Sequence, residues 1–123
     1  MFEITVEDYF SAAHRLRGYQ GRCEELHGHN WKVQACIQGE KVDKLGMLLD
    51  FKEVKARLKD ILQRLDHHYL NEISPFDRLN PTSEHLARFI FEELKKNFVS
   101  PPFKLARVTV WETERAFASY SEI

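Results

Sequence analysis

Twice in its first forty residues the chain alternates apolar and polar positions for about a dozen residues, the period of two of a pleated strand. Over 2–14, Phe2, Ile4, Val6, Phe10, Ala12 and His14 share one face. Over 27–40 ("HGHNWKVQACIQGE"), His27, His29, Trp31, Val33, Ala35 and Ile37 do the same. Each run therefore reads as a long strand with one face turned to a core. The other face carries Glu3, Thr5, Glu7, Lys32 and Gln34, which is half polar.

Two helices come after the strands. Residues 51–65 carry Phe51, Val54, Leu58, Ile61, Leu62 and Leu65 on one stripe, and Asp50 with Glu53 has the spacing of a capping box. A second helix begins after "NPTSE", with Leu86, Phe89, Ile90 and Leu94 as its apolar stripe. "FKLARVTVWETE" and "RAFASYSEI" then read as two strands forming a hairpin that turns near Glu114–Arg115. The order ββααββ fits an α+β sandwich, a four-stranded sheet with both helices on one face. Such a small sheet leaves edges unpaired, and self-association is one way to close them.

The chain's 123 residues fit one domain spanning 1–123. A net charge of -1 gives no global pull toward nucleic acid or an anionic membrane. The apolar runs fall short of the ~20 residues a membrane-spanning helix needs. The start, "MFEITVEDYF", is acidic and alternating, so it reads as a strand and not as a signal peptide. Only Cys23 and Cys36 are present, which points to a reducing cytoplasm and not to a disulfide framework.

Chemistry concentrates in "CEELHGHNW" (23–31). His27 and His29, two apart on a strand, project from one face about 7 Å apart. If the first two strands pair antiparallel, His14 converges on them. Three neutral imidazoles with an open fourth position suit a catalytic zinc site. The same pattern also fits a polar strand end whose histidines bond to loop carbonyls. Cys23 reads as a thiol ionised near a cation, as a fourth ligand in a closed structural site, or as an inert buried thiol; Cys36, within the second strand, is assigned to the inert class. In "LDHHYLN" (65–71), Asp66 and His67 can orient one another or together pair with Cys23 as base and relay; the alternative is a cation near the negative end of the helix dipole. Glu112 continues the face of Val108 and Val110, a costly place for a carboxylate unless a cation or a ligand with adjacent N–H donors meets it.

Taken in order, "FSAAHRL" (10–16), "CEELHGHNW" (23–31), "LDFKEVK" (49–55), "LDHHYLN" (65–71), "NPTSEHLA" (80–87) and "VWETE" (110–114) resemble the 6-pyruvoyl-tetrahydropterin synthase / 6-carboxy-tetrahydropterin synthase family over nearly the full chain. The resemblance implies the tunnelling fold (T-fold), an antiparallel four-stranded sheet with two helices, with trimers closing a barrel and two trimers stacking into a homohexamer. It implies Zn2+ held by His14, His27 and His29, and Cys23 as the catalytic thiol with Asp66 and His67 as its partners. Glu112 matches the carboxylate that grips a pterin substrate, and Thr82, Ser83 and Glu84 match a segment lining the pterin pocket. The implied substrate is 7,8-dihydroneopterin triphosphate.

Three residues between Cys23 and His27 resemble the short form of the queuosine-pathway enzyme, which makes 6-carboxy-5,6,7,8-tetrahydropterin. Glu24, however, stands where a folate-pathway branch carries a catalytic glutamate and yields 6-hydroxymethyl-7,8-dihydropterin. Outside the family, a zinc hydrolase and a non-catalytic module whose zinc is closed off by Cys23 remain as alternatives.

Overall fold

A computed structural model describes residues 1–21, 25–98 and 102–122. Cys23 and Glu24, and the "SPPF" loop up to Pro101, lie outside the described residues. Both alternating runs are strands: β1 (Phe2–His14) and β2 (His27–Gly39) pair antiparallel, from Phe2 opposite Gly39 to His14 opposite His27, with no shift in register. Next along the chain are helix α1 (Phe51–Leu62), a two-residue strand β3 (His68–Tyr69), helix α2 (Ser83–Lys95), and the hairpin β4 (Phe103–Thr113) and β5 (Ala116–Tyr120).

The described residues form one sheet in the order β3-β1-β2-β4-β5. The expected four-stranded antiparallel sheet is therefore extended to five strands and made mixed, because β3 pairs parallel to β1 through Ala12–His68 and Ala13–Tyr69. Two residues are too few to show a period, so this strand comes from contacts made elsewhere. Asp66 Oδ1 accepts the Ser11 amide at 2.8 Å, and the His67 amide donates to the Ser11 carbonyl at 2.6 Å. The hairpin turns at Glu114–Arg115, as its sequence indicates.

The first helix stops at Leu62, short of the expected residue 65. Beyond it the chain tightens: the Arg64 and Leu65 amides bond three residues back, to Ile61 and Leu62. Leu65 still reaches the core, whereas Phe51 is exposed at the helix's first position. The second helix begins inside "NPTSE" instead of after it, because Thr82 caps it by accepting the His85 amide at 3.1 Å.

The core lies between the helices and one face of the sheet. Val54, Leu58, Ile61, Leu86, Ile90 and Leu94 pack against Val6, Phe10, Trp31, Val33, Ile37, Val108 and Val110. On the sheet's other face, the Cys36 thiol donates to Glu3 Oε1 at 2.6 Å. Burial and that carboxylate push its pKa up to about 11, so it stays protonated and inert. No helix of the described residues is long and apolar enough to cross a membrane.

Asp50 caps α1, accepting the Lys52 amide at 2.9 Å. Asp50→Ala is expected to lower the free energy of urea unfolding by about 1 kcal/mol; no loss would show that the cap contributes nothing.

Candidate metal centre

The register of β1 on β2 assembles the site. His14, last in β1, stands opposite His27, first in β2, and His29 lies two residues along the same face. Trp31, next on that face and fully buried, forms the floor, with its ring edge-on to His14 at 4.8 Å and to His29 at 5.2 Å. The indole N–H donates to the Ala12 carbonyl at 3.3 Å, which fixes the ring. Glu112 enters from β4, its Oε1 3.2 Å from His29 Nε2. One donor atom from each of His14, His27, His29 and Glu112 lies within 4.8 Å of all the others.

Hydrogen bonds decide which tautomers are present. His14 Nδ1 faces the Pro81 carbonyl at 2.8 Å, and His27 Nδ1 faces the Glu25 carbonyl at 2.7 Å. A carbonyl only accepts, so both Nδ1 atoms carry the hydrogen and both Nε2 atoms of the neutral rings carry lone pairs. Those two Nε2 atoms are 2.9 Å apart. Two lone pairs at that distance repel unless a cation or an added proton lies between them. Among the described residues His29 Nε2 is buried and without a hydrogen bond, because the Glu112 oxygen, though near, lies outside bonding geometry.

Burial also pushes the pKa values of His14 and His29 below the ordinary histidine value, which opposes an added proton at neutral pH. A metal ion satisfies all of these atoms at once. Three imidazoles and one carboxylate are a donor set suited to zinc and other borderline divalent ions, and the carbonyls behind the rings are the usual outer partners of such ligands.

Asp66 and His67 form a separate dyad at the sheet edge, outside that donor group. His67 Nδ1 is 2.9 Å from Asp66 Oδ2, and the His67 side chain is 82% exposed. The residue has φ 58°, a left-handed conformation uncommon without glycine, which turns the ring outward. The Ser11 amide, more than His67 itself, holds the Asp66 carboxyl below its ordinary pKa. His67 borders an open groove of about 470 Å³ that His29 and Asn30 also line.

Cys23 and Glu24 fall outside the described residues, so neither is placed relative to the histidine cluster or the dyad. Of the expected pocket segment, Thr82 is committed to capping, Ser83 is buried and Glu84 is exposed. That segment's link to the metal centre is the preceding residue, through the Pro81 carbonyl. Neither the Pro81 nor the Glu25 carbonyl could be read from the sequence, because every residue carries a carbonyl and only the fold aims it. Trp31 was visible as a core residue, but nothing in the pattern marked it as the floor of the site.

The chain matches the profile of the 6-pyruvoyl tetrahydropterin synthase family over residues 3–123. It is 33% identical to a 6-carboxy-5,6,7,8-tetrahydropterin synthase of Haemophilus influenzae, covering 99% of this chain and 100% of that one. It is 36% identical to a dihydroneopterin monophosphate aldolase of Pyrococcus furiosus, covering 89% and 88%. The structure of Caenorhabditis elegans 6-pyruvoyl tetrahydropterin synthase superposes with a TM-score of 0.85 at 32% identity, covering 100% of this chain and 98% of that one.

With folded-state pKa values of His14 and His29 depressed, the unfolded chain takes up protons below about pH 6.5 that the folded chain refuses. The stability of the metal-free protein is thus complete above about pH 6.5 and falls as the pH drops toward the folded-state values. Urea midpoints should decline on acidification, with a shallower slope in His14→Gln; a midpoint that rises toward acid would contradict the burial argument.

Proposed function

The chain belongs to the 6-pyruvoyl tetrahydropterin synthase family, and from that premise we propose a zinc-dependent carbon–carbon lyase acting on 7,8-dihydroneopterin triphosphate. With one water consumed, its products are 6-carboxy-5,6,7,8-tetrahydropterin, acetaldehyde and triphosphate, a step in queuosine biosynthesis in the cytoplasm. What carries the metal dependence is the facing pair of Nε2 lone pairs on His14 and His27. What favours the product is the similarity to relatives named for it.

Zinc held by His14, His27 and His29 would supply a Lewis acid for the substrate's side-chain hydroxyls. Cys23 as thiolate takes and returns protons at the side-chain carbons. His67 is the opposing acid/base: Asp66 occupies its Nδ1, which leaves Nε2 free for proton transfer at the groove that His67 borders. Glu112 offers two oxygens to adjacent N–H groups of the pterin, a bidentate charged match, while Thr82, Ser83 and Glu84 border the ring. In this reading Glu112 leaves His29 and turns to substrate, consistent with the poor alignment of their present contact.

The outer edge of β5 and most of the outer edge of β1 are unpaired among the described residues. Edges of this kind favour pairing with further copies, and a homohexamer built as a dimer of trimers is the proposed assembly. It would bring the exposed His67 of one chain within reach of a neighbour's site.

A second reading has two supports, Glu24 in the sequence and the similarity to an enzyme named as an aldolase. There Glu24 replaces Cys23 as base and the product is 6-hydroxymethyl-7,8-dihydropterin.

Incubation with 7,8-dihydroneopterin triphosphate, with products read by mass, separates the two. The carboxylated pterin and acetaldehyde are expected from the wild type and lost in Cys23→Ala with zinc retained. A hydroxymethyl product lost in Glu24→Ala and kept in Cys23→Ala would favour the second reading instead. Sedimentation at micromolar concentration is expected to give a hexamer or trimer, and a monomer would contradict the shared site.

A further inference from the structure

β1 ends at His14, yet the residues beyond it keep the hydrogen bonding of a strand. Asn71 accepts the Arg15 amide at 2.9 Å and donates to the Arg15 carbonyl at 3.0 Å. Asn80 does the same to Arg17, at 2.9 and 3.0 Å. Two carboxamide side chains thus stand in for a neighbouring strand, each occupying both backbone groups of one residue. The Arg17 guanidinium adds bonds to the Asn71 and Phe76 carbonyls at 3.2 and 2.8 Å.

The Asn80 brace differs from the Asn71 brace because its neighbour in sequence is Pro81, whose carbonyl fixes His14 Nδ1. The Asn80 carbonyl in turn accepts the Thr82 amide at 2.9 Å and His85 Nδ1 at 2.7 Å, which pins it to the start of α2. The contacts close a ring: His14 to Arg17 along one segment, Asn80 to Pro81 along the other, bonded at both ends. If the Asn80 end of the ring opens, the Pro81 carbonyl keeps its chemistry but loses its aim.

We propose that Asn80 is a positioning residue for the metal ligand His14, holding the Pro81 carbonyl where it sets the imidazole's tautomer and direction. The proposal rests on the metal reading given above and adds a residue that touches neither metal nor substrate. Loss of an outer partner of a metal-bound histidine typically weakens metal binding by about 10- to 100-fold.

The test compares wild type, Asn80→Ala, Asn80→Asp and Asp50→Ala. For each, Zn2+ affinity is measured by chelator competition, the absorption spectrum with Co2+ in place of zinc, and the melting temperature without metal. Asn80→Ala should bind Zn2+ about 10- to 100-fold more weakly and shift the cobalt bands. Asn80→Asp keeps the acceptor for the Arg17 amide but sets an oxygen against the Arg17 carbonyl; it should shift both readouts in the same direction, and it decides the matter if Asn80→Ala does not fold. Asp50→Ala, destabilised at a distant helix cap, should melt earlier yet keep wild-type affinity and spectrum.

Wild-type affinity and spectrum in both Asn80 variants would overturn this proposal and leave the metal centre standing. Equal weakening in Asp50→Ala would also overturn it, by reducing the effect to general instability. A wild-type chain that takes up neither Zn2+ nor Co2+ would overturn the metal reading, and this one with it.

Discussion

The β1–β2 ladder is the constraint on which the rest of the molecule depends. Its pairs run in unbroken register from Phe2–Gly39 to His14–His27. Side chains alternate across a strand, so a slip of one residue would turn a whole apolar set outward and carry its histidines with it. The burial of Val6, Phe10, Trp31, Val33 and Ile37 against the helices thus selects the register, and the register delivers His14 to His27. Stability and chemistry share one determinant here. The hydrophobic face supplies the free energy, and the polar end of that face receives the geometry.

At that end the structure carries an electrostatic conflict that the described protein groups alone do not resolve. Two carbonyls hold the His14 and His27 rings in tautomers that oppose their lone pairs, and among the described residues His29 Nε2 has no well-aligned partner although Glu112 is near. Buried polar atoms without partners are costly, and they cost most where the dielectric is low. A divalent ion bound there would convert three such costs into coordination bonds.

Much of this was legible in the sequence, and the rest was hidden for identifiable reasons. The long period-two runs, the helical stripes and the hairpin turn were visible because each repeats enough times to define a period. β3 was not, since two residues have no period and the strand exists through Asp66 and the Ser11 backbone. Phe51 was misplaced because a helix's first residue is steered by the incoming chain more than by the stripe. Glu112 stood out as a carboxylate on an apolar face; its side chain keeps 31% exposure, and one of its oxygens lies 3.2 Å from His29 Nε2. The Pro81 and Glu25 carbonyls and the asparagine braces were invisible, because backbone groups carry no residue-specific signal until the fold directs them.

The central claim is that the three histidines hold zinc with Cys23 free to act and not to ligate. X-ray absorption at the zinc edge of the wild-type protein tests it most directly. The account predicts only nitrogen and oxygen scatterers in the first shell, at about 2.0–2.2 Å, with the multiple-scattering pattern of three imidazoles. A sulfur scatterer at about 2.3 Å would place the thiolate on the metal and contradict a catalytic role for Cys23.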